Sequence, residues 1–237
     1  MWKIILWLGL TLILLPLAGC TEASDFPGGE NGSNIVLPTP HYDSRISVEQ
    51  ALRTRRSVRV YTLEPLVIAE VSQLLWAAQG FSHPDGQRTA PSAGALYPLE
   101  IYLLAGNVKG LQAGLYHYQP QDHMLILIDA EDKRQGLFEA ALQQKAVKDA
   151  AIVCVISAVY ERTTGKYGQR GIRYVHTEVG YAAQNIYLQA EALGLGTVFI
   201  GAFHEDEVKS VLQMSEEEVP LGLMPVGKKL HSDEAAP

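Results

Sequence analysis

The chain has 237 residues, of which 47% are hydrophobic and 19% are charged, and its formal net charge is −7. This composition supports one globular domain with a full core, and the acidic balance excludes a broad basic face for nucleic acid. With two cysteines, Cys20 and Cys154, a disulfide framework is excluded, and Cys154 lies in an apolar run that predicts a buried side chain. The seven histidines show no pair at helical metal-ligand spacing, so we predict no metal site.

The amino terminus has the order of a secretory signal. Lys3 precedes an apolar run over residues 4–15, and Leu17-Ala18-Gly19-Cys20 follows it. The run is shorter than the roughly 20 residues of a membrane span, and the last four residues resemble the bacterial lipobox. We therefore predict a lipoprotein-type signal peptide over 1–19, lipidation of Cys20, and a flexible tether over 20–45 that is rich in Gly, Asn, Ser and Pro.

Both this interpretation and its alternative, an uncleaved signal anchor, place the domain outside the cytoplasm. The expected location is the cell envelope, on the periplasmic or extracellular face, with the chain attached to a membrane. We predict one folded domain over residues 46–230, followed by a polar tail over 231–237, and no second folded domain.

The predicted elements begin with a short helix at Ser47, where Ser47-Val48-Glu49-Gln50 has capping-box spacing. A second helix starts after Pro65, with apolar residues on one face and Gly80 as its end. Strands are predicted at 99–104, 115–118, 124–128, 151–159, 197–200 and 221–226, and helices at 134–148, 173–193 and 205–212, with a loop over 81–98. Because helices and strands interleave without a regular alternation, we predict an α+β fold with a mixed or antiparallel central sheet packed by helices.

The run Arg55-Arg56-Ser57-Val58-Arg59 concentrates cations in an acidic chain. Guanidinium groups are permanently charged forked donors that match phosphate oxygens, and a hydroxyl adds a neutral donor. The run therefore predicts an anion site, although a solvated helix end has the same composition.

Two stretches of small residues fit a flat ligand. Pro91-Ser92-Ala93-Gly94-Ala95 predicts a loop against which a planar ring can lie, and Gly201 and Ala202 end a strand with little or no side chain. Each stretch alone also fits an ordinary turn. A dinucleotide fingerprint is excluded, because the glycines from 194 to 201 follow a helix and precede a strand, which is the reverse of the required order.

From about residue 47 to 229, the order and spacing of these motifs resemble the FMN-dependent nitroreductase superfamily. The resemblance extends to its SagB/ThcOx-type branch of thiazoline and oxazoline dehydrogenases, although Tyr181 stands where that branch has histidine. The motifs are Arg55-Arg56-Ser57-Val58-Arg59, Pro91-Ser92-Ala93-Gly94-Ala95-Leu96-Tyr97-Pro98, Lys166-Tyr167-Gly168-Gln169-Arg170, Arg173-Tyr174, Gln184-Asn185, Gly194-Leu195-Gly196, Ile200-Gly201-Ala202-Phe203 and Pro225-Val226-Gly227-Lys228.

The resemblance implies a nitroreductase-like α+β sandwich that works as a homodimer, with FMN at the interface and bound by both subunits. It implies that the phosphate is neutralised near the arginine run and by Lys228, and that the amides of Gly201 and Ala202 face the flavin N5 edge. The cofactor-binding residues are then Arg55, Arg56, Ser57, Arg59, Pro91, Ser92, Ala93, Gly94, Gly201, Ala202, Gly227 and Lys228. Lys166 and Tyr167 match the branch's base and proton partner, whereas the alternative for Lys166 is a solvent-facing loop lysine.

Three functions follow as hypotheses. The first is two-electron oxidation of a small molecule or of an azoline-type ring, including one in a peptide, with FMN reoxidised by oxygen or a quinone. The predicted export favours this hypothesis. NAD(P)H is a cytoplasmic metabolite, so an exported enzyme would not have it as an electron donor. The second is an NAD(P)H-dependent nitro or quinone reductase, and the third is a flavin-binding lipoprotein without enzymatic activity.

Overall fold

The structure is a computed structural model that describes residues 34–230. The predicted signal peptide, Cys20, the first part of the tether and the polar tail lie outside the described residues. Within the described range no helix is long and apolar enough to cross a membrane.

The elements are β1 (Asn34–Val36), α1 (Val48–Thr54), β2 (Leu66–Val67), α2 (Ile68–Gln79), β3 (Leu99–Ala105), β4 (Val108–Lys109), β5 (Gly114–Gln119), β6 (Met124–Asp129), α3 (Arg134–Ala140), α4 (Lys145–Asp149), β7 (Ile152–Val159), α5 (Glu161–Tyr167), α6 (Arg170–Ala192), β8 (Leu195–Thr197), α7 (Glu205–Val211) and β9 (Glu218–Lys228).

The centre of the fold is a seven-stranded sheet in the order β1-β6-β5-β3-β7-β9-β8. Every neighbouring pair in it is antiparallel. A separate two-stranded parallel sheet joins β2 to β4. The predicted α+β fold with a central antiparallel sheet is confirmed.

Helices cover both faces of the sheet, so β7 is buried along its whole length. Its residues alternate between two cores: Ile152 and Cys154 pack in the core beneath α2 and α6, and Val153 and Val155 pack in the core beneath α3, α4 and α7. This arrangement explains the unbroken apolar run in the sequence, because a strand covered on both faces needs no polar alternation. Cys154 is buried as predicted, and burial raises the pKa of its thiol to about 12.

The predicted start of the first helix and the predicted end of the second are confirmed. Ser47 is the N-cap of α1, and its hydroxyl accepts a hydrogen bond from the Gln50 amide at 3.2 Å. α2 ends at Gly80, as predicted. The long helix is α6, whose buried stripe packs against α2 and the sheet, and most of the candidate site is arranged along its length.

Three segments differ from the sequence predictions. Residues 34–36, assigned to the tether, form β1 and pair with β6, and Leu37 is buried, so the ordered part begins before residue 46. The predicted strand 197–200 is instead Leu195–Thr197, and Ile200 makes only a single bridge to Leu223. Residues 161–167, for which no element was predicted, form α5.

Candidate functional site

A group of two cations and two hydroxyl side chains, which we call the arginine cluster, consists of Arg55, Arg59, Ser57 and the α6 residue Tyr187. The Arg55 guanidinium lies 4.8 Å from the centre of the Tyr187 ring. The Tyr187 hydroxyl lies 3.3 Å from Ser57 Oγ and accepts a hydrogen bond from the Phe199 amide at 2.7 Å. Tyr187 therefore connects the arginine run to the chain that leads into Gly201.

The backbone of this run is attached to the edge of the main sheet. Ser57 forms a bridge with Thr197 of β8, and the Val58 amide donates to the Thr197 carbonyl at 2.9 Å. No ion pair within residues 34–230 involves Arg55 or Arg59. Because Arg55 and Arg59 flank Ser57 and neither is engaged by a carboxylate in the described part of the chain, the run is suited to an anion carrying several oxygens.

Two predicted members of the phosphate site have other partners. Arg56 turns back onto its own helix end, where Nη1 donates to the carbonyls of Arg53 and Arg55 at 3.0 and 2.8 Å. The ammonium of Lys228 forms an ion pair with Glu70, which also accepts from the Val67 amide at the start of α2. The structure thus does not bring Lys228 together with the arginine cluster.

Lys229, which the sequence analysis did not select, lies closer to the run. Its ammonium is 2.6 Å from Glu191 of α6. Burial alone would raise the pKa of Glu191, but hydrogen bonds from Lys229 and Thr54 and the charge of Arg56 hold that pKa below its usual value. Lys229 is therefore the carboxy-terminal cation that shares an environment with the arginine run.

Gly227 is explained by packing. A Cβ at this position would lie 2.6 Å from Cγ of Tyr61, a distance that real side chains do not adopt. The Tyr61 hydroxyl donates to the carbonyl of Val58 at 2.9 Å, so the ring helps to hold the arginine run. Gly227 supports the cluster from beneath and is itself buried.

The turn after Phe199 exposes backbone donors. Gly201 and Ala202 are both exposed, and within residues 34–230 neither amide donates a hydrogen bond. The Ala202 carbonyl accepts from Nε2 of Gln144 at 2.9 Å, which fixes the turn against the residue preceding α4. Two unpaired amides on a fixed turn are suited to an acceptor atom of a ligand.

The second group, which we call the loop cluster, consists of Ser92, Ala93, Gly94, Lys166, Tyr167 and Glu178. Gly94 has a φ of 64°, in the left-handed region that favours glycine. A Cβ there would lie 2.7 Å from the Tyr167 hydroxyl and 3.0 Å from Lys166 Nζ. The small-residue loop and the Lys-Tyr pair, about 70 positions apart in sequence, are thus in contact.

Lys166 and Tyr167 lie in the last turn of α5, a helix rather than the loop considered from the sequence. Arg162 attaches this helix to the sheet, because its Nη1 donates to Glu100 of β3 at 2.5 Å and to the Tyr97 carbonyl at 3.2 Å. The Tyr167 ring packs edge-on against Tyr174 of α6, with 5.2 Å between ring centres. Lys166 is exposed, and its ammonium lies at the rim, 5.5 Å from the centre of the Tyr167 ring.

Glu178 is a candidate site residue that was not selected from the sequence. Only 3% of it is exposed, and its Oε1 accepts a hydrogen bond from the Ala93 amide at 2.8 Å. Burial raises the pKa of this carboxyl, although the Ala93 and Ser92 hydrogen bonds work in the opposite direction. The available signal was a carboxylate among the buried positions of α6, next to Val175 and Val179. A cavity of about 250 Å³ lies beside it, against Pro91 and Tyr181.

The two clusters lie on opposite faces of α6. Glu178 and Tyr187 are nine residues apart, which is about 13.5 Å of rise and two and a half turns of an α-helix. The arginine cluster and the Gly201 turn belong to the Tyr187 face, and the loop cluster belongs to the Glu178 face. The two clusters are therefore separated by the width of α6.

Comparisons with known proteins identify this architecture. The fold is that of a class of α+β oxidoreductases, and the Nitroreductase family model matches residues 52–228. The chain belongs to the nitroreductase family and is an oxidoreductase of that superfamily.

Two relatives are matched over most of this chain. The Methanocaldococcus jannaschii protein MJ1384, which carries the name of a nitroreductase, is 49% identical over 199 residues, covering 84% of this chain and 99% of that protein. The microcin B17-processing protein McbC of Escherichia coli is 29% identical over 198 residues, covering 78% of this chain and 72% of McbC.

Solved structures give the same fold. A Ralstonia eutropha chain named for the nitroreductases superposes with a TM-score of 0.74 at 29% identity, covering 84% of this chain and 90% of that one. An Anabaena variabilis chain gives the same score and identity, but this chain spans only 42% of its length. The Escherichia coli microcin synthetase McbBCD complex with truncated pro-MccB17 matches at a TM-score of 0.65 and 24% identity, covering 94% of this chain and 85% of that one.

Proposed function

We propose that the protein is an FMN-dependent dehydrogenase of the SagB/ThcOx type, which oxidises an azoline-type ring in a small molecule or a peptide. The observation that carries the proposal is the proximity of the Lys166 ammonium and the Tyr167 hydroxyl to Gly94, in the loop against which a planar group would lie. The similarity to McbC, a microcin-processing protein, supports a substrate of this kind.

FMN fits the residues of the arginine cluster. Arg55 and Arg59 are cations without carboxylate partners within residues 34–230, and Ser57 adds a hydroxyl at the same place. These groups would hold the phosphate, with Lys229, paired to Glu191, as a further cation on this side of the fold. The amides of Gly201 and Ala202 would donate to the flavin edge. When bound, FMN supplies two-electron transfer, which none of the protein's own side chains provides.

A homodimer completes the site in this proposal. Because the two clusters lie on opposite faces of α6, one chain cannot present both to the same small ligand. The outer α6 face between them is exposed at Arg173, Thr177, Gly180 and Tyr181, and a second copy packed there would bring its loop cluster to the first chain's arginine cluster. Two-fold symmetry would then form two identical sites.

Within such a site Lys166 would take the proton lost by the substrate ring and Tyr167 would relay it to solvent, while bound FMN would accept the hydride. Lysine accepts a proton only as the neutral amine, so the closing partner surface must desolvate Lys166. Arg162 and Glu100 hold α5 in position, which keeps the two side chains fixed relative to the loop. Glu178 holds the Ala93 amide and thereby sets the position of the loop itself.

The proposal includes export and anchoring through Cys20, which sets the redox partners. Outside the cytoplasm the enzyme would pass electrons to oxygen or to a membrane quinone instead of drawing them from NAD(P)H. Cys20→Ser should leave the precursor unprocessed and without lipid, as measured by mass spectrometry. A lipidated mature form of that variant would contradict lipidation at Cys20. The dehydrogenase proposal would be unaffected, because it is tested separately below.

The test of the reaction is the visible absorption of the purified protein, followed by anaerobic reduction. We expect a bound flavin spectrum that bleaches with an azoline-containing peptide or small molecule and stays oxidised with NADH and NADPH. Bleaching by NADH or NADPH alone would favour a nitro or quinone reductase, which the name of the M. jannaschii relative suggests. Absence of any flavin absorption after loading with FMN would leave only a non-enzymatic role.

A further inference from the structure

A cavity of about 600 Å³ lies between α1, α2, α6 and residues 41–48, apart from both clusters. No member of the arginine cluster, the loop cluster or the Gly201 turn lines it. Its volume falls within the range of about 300–1,000 Å³ that is typical of small-molecule sites.

The wall of this cavity includes a cation, Arg88, on which the charge of the largely buried Glu100 acts without forming an ion pair. Arg88 is half-buried and forms no ion pair within residues 34–230. Its Nη1 donates to the amide oxygen of Gln79 at 3.1 Å, and its guanidinium lies over the rings of Tyr97 and Phe81 at 4.5 and 5.7 Å. Its Nε is buried and has no hydrogen-bond partner in the described part of the chain. A partly desolvated guanidinium favours an added anion beside it.

The mouth and walls of the cavity favour a ring. Trp76 and the exposed Tyr42 stand 5.4 Å apart at a tilt of 56°, and Leu188 and Ala192 add apolar surface from α6. The polar wall residues are mostly engaged with each other, since Gln73 bonds His41 and Gln189, and Asn185 donates to the Thr89 carbonyl. The features left to contact a ligand are therefore one positive charge and an aromatic, apolar surface.

We propose that this cavity is a second ligand site, separate from the flavin site, that binds an aromatic carboxylate with the carboxylate on Arg88 and the ring against Trp76 and Tyr42. A carboxylate matches the forked donors of a guanidinium that lines the cavity. The one acid on the wall, Asp43, is exposed at the rim, where water screens its charge more than that of Arg88.

The test is calorimetric titration of the full FMN-loaded chain with 2-naphthoate and with the neutral isostere 2-naphthylmethanol. We expect 2-naphthoate to bind with a dissociation constant below about 1 mM, and the alcohol to bind about ten- to a hundred-fold more weakly, the factor that a charge-assisted hydrogen bond contributes. Arg88→Gln should weaken the acid by the same factor and leave the alcohol unchanged. In a chain with Trp2→Phe and Trp7→Phe, Trp76 is the one remaining tryptophan, so a change in its emission on binding would place the ligand.

A second variant keeps the test independent of folding at Arg88. Gln189→Glu preserves the acceptor used by Gln73 and adds a negative charge to the cavity wall, so it should also weaken the acid. Gln121→Glu makes the same change at an exposed position that does not line the cavity and should bind like the wild type. The proposal is overturned if 2-naphthoate does not bind, if acid and alcohol bind equally, or if Gln189→Glu binds the acid as tightly as Gln121→Glu.

Discussion

The two faces of α6 carry side chains of different chemical character. On the Tyr187 face the groups are exposed, positively charged and held by backbone contacts to the sheet edge. On the Glu178 face a buried carboxylate holds a loop of small residues, and a lysine and a tyrosine stand at its rim. Open cations suit the binding of a charged group from water, whereas a shielded carboxylate and a Lys-Tyr pair suit the placement and transfer of protons.

The difference indicates that binding and proton transfer can be damaged separately. Substitutions on the Tyr187 face should change cofactor affinity with little effect on the chemical step. Substitutions on the Glu178 face should change the chemical step or the stability of the loop while the cofactor stays bound. The following experiments test this separation.

The largest expected effect is on turnover. Lys166→Ala should lower the rate of flavin reduction by an azoline substrate by about 10²–10⁴-fold, the usual range for loss of a general base. Tyr167→Phe tests the hydroxyl alone, and the two losses should not add if the pair acts as a unit. The measurement is anaerobic single-turnover absorbance, with exposed Lys109→Ala as the control. A wild-type rate in Lys166→Ala would remove Lys166 from the mechanism.

Subunit mixing tests whether the two faces meet across a dimer. Arg55→Ala/Ser57→Ala and Lys166→Ala chains are each expected to be nearly inactive at limiting FMN. After dissociation and random reassembly, activity should recover to about a quarter of wild type, because half the dimers are mixed and each mixed dimer has one intact site. If no activity returns although native mass spectrometry detects the mixed dimer, both faces must serve a site within one chain.

Cofactor affinity should fall next. Arg55→Ala or Ser57→Ala should each weaken FMN binding by about ten- to a hundred-fold, because each loses a hydrogen bond to a charged phosphate. Arg53→Ala removes an equal charge from the last turn of α1 and serves as the control. Fluorescence titration measures the dissociation constants. Equal constants for Arg55→Ala and Arg53→Ala would show that general charge, rather than this cluster, holds the cofactor.

The smallest effect concerns Glu178 and stability. Burial raises the pKa of this carboxyl in the folded chain, so its favourable contribution is complete below the usual value of 4.5 and is lost as the pH rises through the raised pKa. Glu178→Gln keeps the acceptor for Ala93 without ionising, so its stability relative to wild type should increase from acidic to neutral pH. Glu178→Ala should cost about 1–3 kcal/mol, since the Ala93 amide loses its partner.

Thermal unfolding across this pH range measures both variants. A constant difference between Glu178→Gln and wild type at every pH would mean that the carboxyl does not change its ionisation on folding. In that case the loop is held by hydrogen bonding alone.

Local signals predicted much of the fold. The Ser47 cap, the periodic face of α2 and the apolar run of β7 each carry their information in neighbouring residues, and all three were found correctly. β1 and α5 were missed because their stability comes from distant partners. β1 exists through its pairing with β6, and α5 contains Gly165 and is held by the Arg162–Glu100 contact.

The sequence motifs selected the candidate site residues, but they did not show which side chains those residues contact. The order of the motifs selected Arg55, Ser57, Gly94 and Gly201, which the structure places in exposed or loop positions suited to a ligand. It did not reveal that Lys228 is engaged by Glu70, because that ion pair joins residues 158 positions apart. Whether these residues bind FMN stays a prediction until the titrations above are made.

The attachment of Ser57 and Val58 to β8 has a consequence for solubility. β8 is the last strand of the main sheet, and an uncovered edge strand is a template for pairing with another chain. The segment that carries the arginine run forms the cover of this edge, so its loss would expose unpaired backbone groups there. An anion that orders the segment should therefore also delay aggregation on heating. We expect phosphate to do so in the flavin-free protein more than chloride at equal ionic strength.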